Sequence, residues 1–75
     1  MQQTYRRQLL ALSRMQHPER DIDARCTAFV ESVLAGAKEA RPDAEGVRDV
    51  LMSIGISAPA AGRFADTYEV AVRAA

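Results

Sequence analysis

His17 and Cys26 are the single histidine and the single cysteine of the 75 residues. A His–Cys pair held within hydrogen-bond reach is a nucleophile with its base, so these two are the first place to look for catalysis. Their settings speak against it. Cys26 falls among Ile22, Phe29, Val30 and Val33 at helical spacing and reads as a small core hydrophobe. His17 stands directly before Pro18, where a proline pushes the preceding residue out of the α region and a helix ends. Zinc needs four Cys or His ligands, and metal sites on helical bundles need inward Glu with Glu-x-x-His. Here Glu19, Asp21 and Asp23 crowd together without the alternating ligands and glycine of a calcium loop, and helix capping accounts for them. Glycines 36, 46, 55 and 62 are isolated, so no phosphate-cradling loop is written here. The expectation is a protein that is no enzyme, with no catalytic residue, no metal and no cofactor.

The charges point to contact between surfaces. Ten basic and ten acidic side chains cancel, so no overall field steers the chain to nucleic acid or an anionic membrane. Along the chain they separate. Residues 1–20 carry Arg6, Arg7, Arg14 and Arg20 against Glu19, a net +3. Residues 21–42 set Arg25, Lys38 and Arg41 against four acids, a net −1, and residues 43–75 set Arg48, Arg63 and Arg73 against five, a net −2. A basic start on a slightly acidic body suits docking onto its own acidic end, a second copy or an acidic partner. Nine arginines to one lysine and fourteen alanines are a composition typical of GC-rich bacterial or phage genes. One cysteine forms no internal disulfide, which suits a reducing cytoplasm. The run LLAL at 9–12 is too short for a secretory signal, and residues 26–37 reach about half of the ~20 apolar residues a membrane span needs. A cytoplasmic, membrane-free chain is expected.

The elements that must carry these groups are helices. Apolar residues recur at helical spacing and no window alternates like a strand. The pattern predicts an all-α fold, a single domain over 1–75 built as a small bundle of about four short helices at approximately 3–16, 20–38, 43–54 and 58–74. Tyr5, Leu9 and Leu12 form one face of the first, which Leu10 and Met15 widen. Ile22, Cys26, Phe29, Val30, Val33, Leu34 and Ala37 form the stripe of the second, which starts with Pro18 in its first turn or with Asp21 as its cap. Asp43 is an N-cap for the third, and Gly55 is placed as the left-handed residue that ends it. Ser57 caps the fourth, with Pro59 in its first turn. A domain this size holds only about 3–5 kcal/mol of core stability, so a partner or a second copy would help.

Residues 51–64, LMSIGISAPAAGRF, resemble three helical modules. The helix-turn-helix of repressors places a turn glycine, a hydrophobic residue and a helix cap as Gly55, Ile56 and Ser57 stand here, with Leu51 where alanine or glycine is usual. The stretch is similar to the helix-hairpin-helix through Gly55-Ile56 and Ala61, with Ser57 in place of its second glycine. It also resembles the ubiquitin-associated domain through the Gly55-Ile56 loop. The first two resemblances imply DNA contact and the third a peptide. A helix reading bases would present polar side chains on its first turns, whereas this one presents Ala58, Ala60, Gly62 and a single Arg63 before Asp66 and Glu69. The reading that follows is a structural corner.

The function expected is a small non-enzymatic protein-interaction module, a regulator, adaptor or inhibitor that docks a helical surface onto a protein partner. The contact residues named by the pattern are Tyr5, Arg6, Leu10, Arg14 and Met15, because the first helix carries more large apolar residues than one face hides, beside local positive charge. A homodimer is one arrangement this allows. The alternative is a weakly sequence-specific DNA-binding regulator that uses a helix-turn-helix-like or helix-hairpin-helix-like corner at residues 47–64 through Arg48, Ser57 and Arg63.

Overall fold

The structure is a computed structural model; it describes residues 3–75, with side chains from Thr4 onward. Among the described residues there are four α-helices and no strand, α1 (Gln3–Leu10), α2 (Ile22–Ala35), α3 (Ala44–Ser53) and α4 (Ala58–Ala74), with short 3₁₀ turns at Ala11–Arg14 and Lys38–Ala40. The chain is a small all-α bundle, as the helical spacing predicts. No helix among the described residues is long and apolar enough to cross a membrane.

The core forms around Phe29 of α2. Tyr5 meets its ring edge-on at 6.1 Å between centroids, and Phe64 and Tyr68 of α4 lie at 5.8 and 5.4 Å. All four Phe and Tyr rings thus join one cluster, and the edge-to-face Tyr5–Phe29 pair adds about 0.5–1.5 kcal/mol beyond area burial. The third helix completes the core from below with Val47, Val50 and Leu51. Ala61 and Ala65 are buried on α4, and their small side chains let that helix pack closely on both α3 and α2. Tyr68 donates its hydroxyl to the carbonyl of Pro42, which ties α4 to the segment leading into α3. Burial pushes this phenol up to about 12.

The first helix is shorter than its periodicity predicts. It gives way at Ala11 to a 3₁₀ turn, and Met15 is extended. The tighter turn keeps Leu12 beside Leu9 on the wall of the same groove, and both are buried. Ser13 assists by donating its hydroxyl to the Leu10 carbonyl at 2.7 Å. Helix α2 begins at Ile22 and ends at Ala35, inside the predicted 20–38. Its far end stops where Gly36 turns extended and the Tyr5 hydroxyl comes against it, in space that any Cβ at that position would occupy.

The Asp21 cap also differs from expectation. Asp21 holds the N-cap position of α2 through its backbone carbonyl, which accepts from Arg25 at 3.1 Å, but its side chain makes no capping bond. A capping side chain reaches its helix from extended backbone, and Asp21 is left-handed, with φ of 55°. Asp43 behaves as predicted, accepting from the Gly46 amide at 2.7 Å.

Candidate functional site

Helix α1 and the turn after it divide the five predicted contact residues among three environments. Tyr5 is a core residue, 7% exposed, and this corrects its assignment to the contact surface. Its ring covers Phe29 because only one of the two apolar faces of α1 fits against α2 and α3. Leu10 is half-buried and, with Ala11, Ser13, Arg7 and Arg14, lines an open depression of about 430 Å³. Met15 lies beyond the 3₁₀ turn, in a smaller groove between α1 and α2 that Leu12, Arg25 and Phe29 share. Arg6 is exposed and lines neither. Arg7, which the sequence reading leaves out of the contact set, joins it here. Its signal was present, since Arg7, Leu10 and Arg14 stand three and seven residues apart on one helical face. Among the described residues, Arg6, Arg7 and Arg14 make no ion pair.

The corner between α3 and α4 is built from local turn chemistry. Gly55 has φ of 95°, a region open to glycine and strained for most other residues. The Gly55 amide donates to Met52 and the Ile56 amide to Leu51, both at 3.1 Å. This pair of bonds is the Schellman arrangement, in which the last carbonyls of a helix are satisfied by the residues that leave it. Ile56 then buries itself beside Leu51. Ser57 opens α4, its hydroxyl oxygen accepting from the Ala60 amide at 3.4 Å.

Each residue named for DNA contact at this corner already faces an acid of the same chain. Ser57 donates its amide and its hydroxyl to the two carboxylate oxygens of Glu19, at 3.1 and 2.9 Å. Glu19 thereby sits at the positive end of α4, where a phosphate would otherwise find its donors. Arg63 pairs with Asp23 at 3.3 Å across α4 and α2, and Arg48 lies 4.0 Å from its neighbour Asp49. Surface pairs of this kind contribute at most about 1 kcal/mol each, but they place negative charge beside every group that would meet DNA.

Cys26 is buried, with its thiol donating to the Phe64 carbonyl at 3.4 Å. Desolvation first, and the nearby Asp23 carboxylate second, push it up from 9.0 to about 11. At neutral pH it is a packed thiol rather than a thiolate.

Comparison with protein-family models, with curated proteins and with solved structures finds no match.

Proposed function

We propose that the chain is a protein-interaction module that docks an acidic partner surface on the basic face of its first helix, working as a regulator, adaptor or inhibitor without chemistry of its own. One observation carries this reading. Arg7 and Arg14 flank an open, partly apolar depression at Leu10 and Ala11, and neither makes an ion pair among the described residues. Holding two solvated guanidinium groups beside apolar surface suits a partner with an apolar anchor and carboxylates around it, since arginine forks carboxylates in two-pronged fashion and its stem adds contact area. Interfaces of this type concentrate their energy in a few anchor and arginine contacts.

The experiment compares wild type with Arg7→Glu/Arg14→Glu in affinity capture from the source cells, alongside an anisotropy titration against duplex DNA at low salt. Proteins retained by wild type and lost by the variant are expected. Identical sets of captured proteins would count against α1. Micromolar DNA binding that falls steeply with salt would replace this reading with the DNA-binding alternative at the corner.

A further inference from the structure

We propose that a second copy of this chain occupies the α1 depression, seating the exposed Val70 side of its α4 between Arg7 and Arg14. The inference rests on the reading of α1 as a docking face and names its occupant. Val70 is 69% exposed, the most open large hydrophobic residue among those described. With Asp66, Thr67 and Ala71 it forms a shallow, mainly apolar surface on the outer side of α4. Beside it lies the cleft between α3 and α4, which Glu45, Asp66 and Glu69 line together with one cation, Arg48. Glu45 and Asp66 make no ion pair among the described residues, whereas Glu69 is already paired with Arg73 at 2.8 Å.

The two faces of the molecule are therefore complementary. One offers Leu10 and Ala11 between Arg7 and Arg14, and the other offers Val70 beside Asp66, with Glu45 in the adjoining cleft. Opposite charges that form no ion pair among the described residues find partners across the contact, and the isolated valine leaves water for an apolar depression. Because α1 packs mainly on α3 while α4 packs on α3 and α2, the contact joins two different patches. It is heterologous, one copy supplying the Val70 surface and the next the depression.

Two variants separate the halves. Val70→Arg spoils the α4 surface by setting a like charge between Arg7 and Arg14 and leaves the depression, while Arg7→Glu/Arg14→Glu reverses the depression and leaves Val70. All these positions are exposed, and circular dichroism verifies that both variants stay folded. Sedimentation equilibrium at low salt is expected to show wild type heavier than one chain, with mass rising with concentration and falling as salt is added. Each variant alone is expected to associate at least about tenfold more weakly, a shift of about 1.4 kcal/mol. Mixed in equal amounts, the two variants are expected to form a heterodimer with the affinity of wild type, because the mixture holds one intact surface of each kind.

A wild type that stays monomeric throughout, a mixture that fails to associate, or variants that associate as wild type does would each overturn the second-copy proposal. If wild type is monomeric while capture of other proteins still requires Arg7 and Arg14, the second copy is excluded and the reading of α1 stands. If capture too is unchanged, both fall.

Discussion

The first helix and the α3–α4 corner both carry arginines on their outer surfaces, and they use them in opposite ways. At the corner, Arg48 and Arg63 lie against Asp49 and Asp23, and the Ser57 cap is held by Glu19. On α1 and the 3₁₀ turn after it, Arg6, Arg7 and Arg14 make no ion pair among the described residues. The corner has matched its polar groups with acids of the same chain, and the Ser57 cap and the Gly55 turn hold it, so changing those two should alter stability. The α1 face leaves its charges to solvent, so changing them should alter binding with little effect on stability. A conspicuous short motif is thus the less available surface, and a plain run of arginines and leucines is the more available one.

That contrast can be broken at several points. The largest effect concerns the interior beneath α4. Cys26 donates to the Phe64 carbonyl and is 1% exposed, so a thiol reagent at neutral pH should reach it only through unfolding. Labelling is expected to be slower than in the urea-unfolded chain by a factor of about 10² to 4 × 10³, which about 3–5 kcal/mol of stability implies. Rapid labelling of the folded protein would show α4 to be loosely held. The pH dependence follows from the same burial. A thiol raised from 9.0 to about 11 keeps its proton in the folded state while the unfolded chain loses it. The folded state binds more protons over that window, so stability is full below about pH 9 and is lost as pH rises toward 11. Denaturant melts across this range, with Cys26→Ala as the flatter control, measure it.

Next comes Gly55→Val. A Cβ built there meets no atom within 4 Å, so the cost arises in the backbone, where a β-branched residue at positive φ is strained by about 1–3 kcal/mol. Gly55→Asn should recover much of the loss, because asparagine tolerates the left-handed region. Equal stability of all three proteins by chemical denaturation would contradict the account of the corner. Ser57→Ala is expected to cost about 1 kcal/mol as a lost cap. In the Glu19→Gln background it should cost less, because the hydroxyl loses its carboxylate partner, and a double-mutant cycle reads this coupling. The smallest stability effect is expected on α1, where Arg7→Glu/Arg14→Glu should stay within about 0.5 kcal/mol of wild type. A large loss there would mean that α1 holds the fold together in the way the corner does, and the contrast between the two regions would disappear.

Most of the fold was legible because its signals are local. The stripe of α2, the Asp43 and Ser57 caps, Pro59 in the first turn of α4 and the left-handed Gly55 all depend on neighbours within a few residues. The ends of α1 and α2 were less legible, because Leu12 beside Leu9 and Tyr5 against Gly36 are settled by what packs on those helices. The contact surface was legible only in part. Arg6, Leu10, Arg14 and Met15 do reach solvent, wholly or in part, but a pattern of apolar residues on two sides of a short helix does not say which side the rest of the chain will cover. Tyr5 is covered together with Leu9 and Leu12 and is no contact residue, whereas Arg7 shares the open depression with Leu10 and Arg14.

The sequence by itself determined that this is an all-α chain with its turns at these places, since helical periodicity, capping and glycine at positive φ act through bonds and neighbours close along the backbone. Only the tertiary structure decided which charges are spent and which remain. The carboxylate of Glu19 meets Ser57 across 38 residues of chain, and Asp23 meets Arg63 from another helix. Such pairings depend on how separate elements come to lie side by side. Coulomb attraction acts over distance in space, and sequence separation does not measure that distance.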